Sequence, residues 1–391
     1  MNLKISLTVL ILTLSLFSVR AEAGAWSSYK ASADRQGVSA EGSVDLPLKI
    51  SWTYVLEGKT NGFVDWGPVA ADGIVYTGDG LNNILALNAA TGELIWKKEL
   101  ISNIFSVSLS EDAKILYATT AITTKPTATF YALDPKTGEN LWDNMAHGQP
   151  AVGGIEGAPA IAGGKIYAGY LQYEGHGGLL ALDGQTGKLL WHVEVARFSP
   201  YSSITYANGK LYVGFENKKL YCVDAKTGKN LWFKDTVELP YAAPVVWENK
   251  VYVGAGNTVY ALDASTGQVM WEKAVEAQIG HSSISIFDKT LYVGSRESKV
   301  FALTAGEGTV VWIKDLQKGA IESSVIIDPK KKLLFVATQE NKLLALTLKS
   351  GEVKDEVQLS DDERGVWKSS PALYEGRLYI GSLDKTFYAL E

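Results

Sequence analysis

The stretch that decides the fold is YALDASTGQVMW at Tyr260–Trp271, one of eight related copies of a single phrase. Tyr260–Leu262 alternates as a strand, and Val269–Trp271 returns as a second strand. Between them, the Asp263 carboxylate can accept backbone N–H groups and Gly267 can adopt a positive φ angle. Six copies keep a spacing of nine residues from the position before the turn to the tryptophan. The phrase therefore predicts a β-hairpin of constant length.

The phrase recurs roughly every 40 residues, which is a period typical of repeat architectures. A second strand–turn–strand pattern precedes it, for example Pro244–Trp247, Glu248–Lys250 and Val251–Gly254. Each repeat thus supplies four antiparallel strands, and such units arranged radially form a β-propeller. The eight anchor positions before the turns are Leu87, Leu133, Leu182, Val223, Leu262, Leu303, Leu346 and Leu390. We predict an all-β fold, an eight-bladed β-propeller of four-stranded antiparallel blades.

The two ends of the repeat series complement each other. The last copy reaches Leu390 without a tryptophan strand, whereas Leu48–Trp52 is a tryptophan strand with no turn before it. We therefore predict that the N-terminal Trp52 strand joins the C-terminal blade and closes the ring. Residues 26–391 are predicted to form this single propeller.

Residues 1–25 are predicted to be a signal peptide. Lys4 precedes the uncharged apolar run Ile5–Val19, and small residues allow cleavage after Ala23 or Ala25. The mature chain would carry 35 basic and 42 acidic side chains, a balance that disfavours nucleic acids and anionic membranes as partners. We expect a periplasmic or secreted monomer, without a membrane anchor because the leader contains no cysteine for lipid attachment.

The repeated phrase resembles the docking motif of the pyrroloquinoline-quinone-like propeller family, Ala-x-Asp-x-x-Thr-Gly-x-x-x-Trp. Ala132–Trp142, Ala181–Trp191 and Ala261–Trp271 carry it, Cys222–Trp232 has Cys for Ala, and Ala86–Trp96 has Asn for Asp. The resemblance implies that the tryptophans of the series pack between neighbouring blades as scaffold. These residues are Trp52, Trp96, Trp142, Trp191, Trp232, Trp271 and Trp312.

Trp26–Lys30 and Asp34–Ser39 also resemble the N-terminal signature of this family. Members of similar size and blade count help to fold or deliver outer-membrane β-barrel proteins. The resemblance therefore implies a protein or peptide partner, within the outer-membrane assembly machinery.

Catalytic members of the same family place adjacent cysteines over a quinone and hold calcium with acidic and amide side chains. This chain has one cysteine, Cys222, and its four histidines show no metal-ligand spacing. We predict a non-catalytic scaffold without cofactor or metal. The alternative is a small-ligand-binding protein or quinoprotein-like oxidoreductase that uses the central channel.

Loop lengths vary on one face of the predicted ring. Most blades need 11 to 13 residues from the tryptophan position to the next inner strand, but Trp52–Pro68 and Asp355–Pro371 take 16 and Trp142–Pro159 takes 17. Middle hairpins are long only in blades 2 and 3. The enlarged loops belong to consecutive blades, so we expect one raised sector that binds a partner. The alternative is that these loops have no binding role.

Aromatic and charged side chains in these loops suit a protein interface. The raised sector contains Phe63, Asp65, Trp66, Met145, His147, Glu156, Tyr170, Tyr173, His176, Arg364, Trp367 and Lys368. A second candidate interface on the same face is the link from Arg197 to Tyr201, together with Tyr241. The rival small-ligand hypothesis uses equivalent positions near one channel mouth, namely Glu156, Tyr201, Tyr241, His281, Glu322 and Lys368.

Overall fold

The computed structural model describes residues 25–39, 42–56, 67–101, 103–120, 130–144, 154–171, 176–196, 199–362 and 369–391. These residues form strands and turns, and no α-helix occurs among them. No described segment therefore provides an apolar helix long enough to cross a bilayer. The strands form eight antiparallel sheets, each built from consecutive strands except at the ring closure. The predicted eight-bladed β-propeller is confirmed.

The first half of the ring follows the chain in order. Strand β1 (Ile50–Val55) precedes blade 1, which contains β2 (Val69–Ala71), β3 (Ile74–Gly78), β4 (Asn83–Asn88) and β5 (Leu94–Glu99). Blade 2 contains β6 (Ile104–Leu109), β7 (Leu116–Thr120), β8 (Phe130–Leu133) and β9 (Asn140–Asp143). Blade 3 contains β10 (Gly154–Ala162), β11 (Lys165–Leu171), β12 (Gly177–Asp183) and β13 (Leu189–Ala196). Blade 4 contains β14 (Thr205–Ala207), β15 (Lys210–Phe215), β16 (Lys219–Asp224) and β17 (Asn230–Asp235).

The second half repeats this plan. Blade 5 contains β18 (Val245–Trp247), β19 (Lys250–Asp263) and β20 (Val269–Ile279), with β19 spanning the positions of both middle strands. Blade 6 contains β21 (Ser285–Phe287), β22 (Thr290–Gly294), β23 (Lys299–Thr304) and β24 (Val310–Asp315). Blade 7 contains β25 (Ile326–Asp328), β26 (Leu333–Ala337), β27 (Lys342–Thr347) and β28 (Val353–Gln358). Blade 8 contains β29 (Ala372–Tyr374), β30 (Arg377–Gly381) and β31 (Thr386–Leu390), and β1 is its fourth strand.

Ring closure occurs as the two ends of the series predict. β1 pairs antiparallel with β31, with Trp52 opposite Ala389 and Tyr54 opposite Phe387. The backbone N–H groups of Lys49 and Glu391 each donate to the other residue's carbonyl, at 2.8 and 2.9 Å. The outer strand of blade 8 therefore comes from the start of the propeller sequence, which joins the first and last blades.

Burial differs between the middle and outer strands of each blade. Val300–Leu303 of β23 is completely buried, because both faces of a middle strand pack against neighbouring blades. Strand β24 alternates between half-buried and exposed side chains, because only one of its faces meets the next blade. The apolar core is thus divided among the seams between blades.

The series tryptophans join each blade to the next. Trp271 of blade 5 donates its indole N–H to the carbonyl oxygen of Ala305 in blade 6, at 3.1 Å. Its ring covers Gly308, where a Cβ atom would lie only 2.6 Å from Trp271 Cε3. All seven tryptophans predicted to pack between blades make this contact, with acceptors Ala89, Pro135, Gly184, Ala225, Ala264, Ala305 and Leu348.

A tyrosine on the second strand donates to the same carbonyl oxygen. Tyr252 donates its hydroxyl to Ala305 O at 3.0 Å and lies 6.0 Å from Trp271, measured between ring centroids. Equivalent hydroxyl bonds come from Tyr76, Tyr117, Tyr212, Tyr292 and Tyr379. In each of six seams, one buried carbonyl oxygen thus accepts two hydrogen bonds from the preceding blade. The sequence predicted the tryptophan but not the tyrosine, although the tyrosine recurs at the same place in successive repeats.

We expect the substitution Tyr252→Phe to lower the free energy of unfolding by about 1 kcal/mol, because Ala305 O loses one of its two donors. Trp271→Ala removes the other donor and the ring over Gly308, so its loss should be larger, about 3 kcal/mol or more. Urea unfolding followed by circular dichroism measures both. The control is Met270→Ala, which changes a side chain that is 52% exposed beside Trp271. Equal losses in all three variants would contradict the seam interpretation.

Candidate functional site at the mouth of the central channel

The central channel has two different ends. Each inner strand begins at one face, which we name the mouth face, and runs to its first hairpin at the other, the turn face. The N-terminal segment, residues 25–39, hydrogen-bonds to inner strands near the turn face. Its carbonyl groups accept from Tyr206 N, Val246 N, Ile286 N and Ile327 N at 2.9 to 3.2 Å. The segment therefore lies across the turn-face end of the channel.

Arg35 of this segment is completely buried. Its guanidinium donates from Nη1 to Tyr29 O at 2.5 Å, from Nη2 to Pro159 O at 2.7 Å and from Nε to Ile204 O at 3.1 Å. Burial lowers the pKa of Arg35 to about 10, and the side chain therefore remains charged at neutral pH. One side chain thus links the N-terminal segment to the inner strands of blades 3 and 4.

Lys30 and Tyr29 fill the side of the channel formed by blades 6 and 7, opposite to the contacts of Arg35. Lys30 Nζ donates to Ile284 O, and burial, reinforced by the charge of Arg35, lowers the pKa of Lys30 well below its usual value. The Tyr29 hydroxyl hydrogen-bonds to Ser283 Oγ at 3.1 Å and to Ser324 Oγ. The chain's own side chains therefore occupy the axis of the propeller between the turn face and the mid-level of the inner strands.

Serine pairs set the height of the residues at the mouth face. Ser282 Oγ accepts the N–H of Gly294 within blade 6, at 3.1 Å. Ser283 Oγ accepts the N–H of Ala243 from blade 5, at 2.9 Å. The pair recurs as Ser202–Ser203, Ser323–Ser324 and Ser369–Ser370, and each second serine accepts a backbone N–H from the preceding blade at 2.9 or 3.0 Å. The residue before each pair is therefore held at one level around the mouth.

Four residues of consecutive blades occupy this level. Tyr201, Tyr241, His281 and Glu322 precede the inner strands of blades 4, 5, 6 and 7. The rings of Tyr201 and Tyr241 meet edge to face with centroids 5.0 Å apart. His281 lies 4.9 Å from the Tyr241 ring and 6.2 Å from the Tyr201 ring. The structure thus brings together four of the six positions that the small-ligand hypothesis selected.

Glu322 is the centre of the polar contacts at the mouth. Its Oε2 accepts the backbone N–H of His281 at 2.9 Å and lies 2.9 Å from His281 Nδ1. Its Oε1 accepts Arg296 Nε at 2.7 Å. Burial alone would raise the pKa of Glu322, but the hydrogen bonds from His281 and the Arg296 charge outweigh it and lower the pKa to about 2. Gly280 permits this approach, because a Cβ there would lie 2.7 Å from Arg296 Nε.

The ionised Glu322 determines the hydrogen-bonding state of His281. A carboxylate at this pKa only accepts, so Nδ1 must carry the proton that it shares with Glu322. In the neutral imidazole, Nε2 is then an acceptor. This atom is buried and has no hydrogen-bond partner within the described part of the chain. The pair is thus an oriented histidine with one ring nitrogen, Nε2, that has no partner among the described residues.

Most residues of the predicted raised sector lie outside the described residues, namely Phe63, Asp65, Trp66, Met145, His147, Tyr173, Arg364, Trp367 and Lys368, as does Arg197 of the second candidate. Glu156 lies in β10, but its side chain is also outside the description. His176 is described, and its Nδ1 lies 2.7 Å from Glu194 Oε1.

The placement of Tyr170 in an exposed loop is wrong. Its side chain is only 1% exposed, because β11 continues to Leu171 and carries Tyr170 into the core between blades 2 and 3. Gly178 packs against the Tyr170 ring, leaving no room for a Cβ atom. Part of the long middle connection predicted for blade 3 is therefore a longer β-hairpin rather than a loop.

The described residues do not fit the quinone and calcium site of the catalytic family members. Cys222 is the single cysteine, and it is completely buried in β16 between blades 4 and 5. Burial raises the pKa of its thiol to about 12, which makes it unreactive. Among the described ranges, no group of three or more His, Cys, Asp or Glu side chains could hold a metal ion.

Comparison with known families agrees with this architecture. The family model described as "Outer membrane protein assembly factor BamB" matches residues 26–205 and 176–390, which together cover nearly all of the propeller. The chain belongs to this family. The resemblance stated from the repeated phrase is therefore confirmed, and the match includes residues 26–39, which lie across the turn-face end of the channel.

Individual relatives include both assembly factors and an enzyme. The chain is 24% identical to outer membrane protein assembly factor BamB of Moranella endobia over 62% of its own length and 65% of the relative's. It is 23% identical to BamB of Yersinia pestis, with 88% of each chain covered. It is also 23% identical to polyvinylalcohol dehydrogenase of Sphingopyxis sp., covering 94% of this chain and 64% of the relative.

The chain thus spans less than two thirds of the length of the Moranella and Sphingopyxis relatives. Among solved structures, quinohemoprotein alcohol dehydrogenase ADHIIG from Pseudomonas putida superposes with a TM-score of 0.78 at 15% identity, covering 96% of this chain and 81% of that structure. At this identity the likeness supports the propeller fold alone.

We expect the contribution of Glu322 to stability to depend on pH. Its folded pKa of about 2 lies below the ordinary value of 4.5, so the stabilisation is complete above about pH 5 and is lost as pH falls toward 2. Glu322→Gln should therefore lower the free energy of unfolding by about 3 kcal/mol at pH 7 and by much less near pH 2. Urea titrations across this range measure the difference. The control, Glu307→Gln, changes an exposed carboxylate, and a similar pH profile there would contradict the assignment.

Proposed function

We propose that the protein is an exported, non-catalytic propeller scaffold that binds a protein or peptide during assembly of outer-membrane β-barrel proteins. Membership of the BamB family supports this role, and the 88% mutual coverage with the Yersinia protein fits a relative of matching size. The predicted signal peptide supports an exported protein, and the assembly role would require the periplasm.

The observation that carries the proposal is the occupation of the channel by the chain's own residues. Arg35, Lys30 and Tyr29 bond to inner strands of four blades at the axis, where a small molecule bound deep in a propeller would otherwise lie. Recognition is thereby directed to the surface. At the mouth face, half-buried Tyr201 and Tyr241 present aromatic surface next to an ion pair, a composition that suits protein contacts.

Site-specific photo-crosslinking in the periplasm tests this interface. A photoreactive phenylalanine at Tyr241 should crosslink to a component of the β-barrel assembly machinery, identified by mass spectrometry. The same probe at Phe233 is the control, because that ring is 50% exposed on the outer rim of blade 4. Equal crosslinking from both positions, or none to assembly components, would overturn the proposal.

The predicted raised sector is tested in the same cells. The double substitution Trp66→Ala, Trp367→Ala should reduce the Tyr241 crosslink if these loops belong to the same interface. An unchanged crosslink would limit the interface to the second candidate around Tyr201 and Tyr241.

The second candidate function is a small-ligand site at the channel mouth, as in a quinoprotein-like oxidoreductase. His281 favours it, because Glu322 orients the ring while Nε2 remains buried without a described partner. Under this function, protein purified from the periplasm should carry a molecule visible by native mass spectrometry or absorbance above 300 nm. His281→Ala should lose that molecule and any alcohol-dependent dye reduction. Purified protein whose mass equals that of the polypeptide alone, and which shows no alcohol-dependent dye reduction, would reject this candidate.

A further inference from the structure

A hollow of about 610 Å³ lies at the turn face, on the opposite side of the N-terminal segment from the mouth. Its wall combines this segment with the ends of inner strands from blades 2 to 5. The lining includes Asp34, Glu111 and Glu248, and none of the described residues lining it is a lysine or arginine. A cation entering the hollow would therefore meet three carboxylate side chains; the charge of Asp34 also acts on the buried Lys30 and Arg35 behind the wall, whereas Glu111 and Glu248 lie on the blades.

The Asp34 carboxylate is held in place by its neighbours. Ser32 Oγ donates to Asp34 Oδ1 at 2.5 Å, and Gln36 Nε2 donates to Asp34 Oδ2 at 2.8 Å. Gln36 Nε2 also approaches Val246 O at 3.4 Å, which ties the segment to blade 5. Each carboxylate oxygen keeps a further acceptor site, so the group can bind a ligand without first being reoriented.

Two half-buried aromatic rings complete the wall, Tyr206 from blade 4 and Trp247 from blade 5. Tyr206 stacks on Tyr167 with centroids 5.6 Å apart and an interplanar angle of 10°, which fixes its ring. Aromatic faces attract ammonium groups, and tryptophan does so most strongly. Trp247 lies outside the repeated tryptophan series and makes no seam contact of that kind among the described hydrogen bonds.

Ser28 supplies an observation that is independent of the charge. It lines the hollow and is only 4% exposed, yet its hydroxyl oxygen has no hydrogen-bond partner among the described residues. A buried hydroxyl without a partner costs about 1–3 kcal/mol, so a bound donor at this position would recover that loss. Carboxylates, aromatic faces and an unused hydroxyl acceptor together select a cation that also donates hydrogen bonds.

We propose that this hollow binds an alkylammonium group, supplied by a free polyamine or by a lysine side chain of a peptide. The ammonium would be attracted by Asp34 and Glu248, donate to Ser28 Oγ, and place its methylene groups against Trp247 and Tyr206. The site lies at the turn face, so its occupation is independent of the interface proposed at the mouth face.

Isothermal titration calorimetry at low salt tests this site with cadaverine, and a parallel titration uses a short lysine-containing peptide blocked at its N-terminus. Pentane-1,5-diol, of similar length but uncharged, is the ligand control. Cadaverine should bind measurably and the diol should not. Binding of the peptide alone also supports the site and assigns the ammonium to a partner's lysine. Heat from neither amine would overturn the proposal.

Matched variants locate the binding. Glu248→Gln should weaken cadaverine about threefold to tenfold through loss of one nearby charge. Ser28→Ala should weaken it by a similar factor through loss of the buried acceptor, at unchanged net charge. Glu307→Gln makes the same charge change at an exposed turn of blade 6 outside the hollow, and should leave the affinity unchanged. Equal weakening by Glu307→Gln and Glu248→Gln would reduce the effect to general acidity and overturn the site.

Discussion

The propeller depends on a single carbonyl group in the turn of each repeated hairpin. In six seams this oxygen accepts an indole N–H and a phenol O–H from the preceding blade, as Ala305 O does from Trp271 and Tyr252. A carbonyl has two lone pairs, so the arrangement leaves no acceptor capacity unused in a buried interface. The glycine of the same turn allows the indole ring to lie directly on the backbone. Because every blade both supplies the donors and presents the acceptor, the stability of the ring is largely a sum of equivalent neighbour contacts.

The regular seams also determine which residues meet at the mouth of the channel. The serine pairs align the starts of neighbouring inner strands, because each second serine accepts an N–H from the preceding blade. Residues that precede these pairs are therefore at the same level although they are about 40 positions apart in sequence. Tyr201 and His281 precede such pairs, and Tyr241 lies between them because Ala243 of its blade donates to Ser283. Glu322 reaches back from the next blade to orient His281. The positions that meet at the mouth thus follow from the repeat, whereas the repeat does not determine the residue types at these positions.

Periodicity explains what the sequence could and could not predict. The blade number and the ring closure follow from the spacing of the repeats, and the docking of the tryptophans was implied by the family resemblance of the repeated phrase. The tyrosine donors and serine pairs have the same period and were accessible to the same reasoning. The N-terminal segment was not, because Arg35 occurs once and bonds to carbonyls up to 169 residues away. Tyr170 was misplaced because a spacing between repeats does not show how far β11 extends.

The N-terminal segment makes the two ends of the channel chemically different. The segment runs through turns and Arg35 has a positive φ angle, so that Arg35 is buried among channel carbonyls whereas Asp34 and Gln36 line the hollow at the turn face. Arg35 and Lys30 thus lie behind the acidic wall, where backbone oxygens accept their hydrogen bonds and the charge of Asp34 favours their protonated forms. The carboxylates consequently keep their acceptor capacity for the solvent side. In a propeller with an open channel, one continuous surface would join the two faces. The non-repeating N-terminal segment crosses the channel and thereby separates the mouth from the hollow at the turn face.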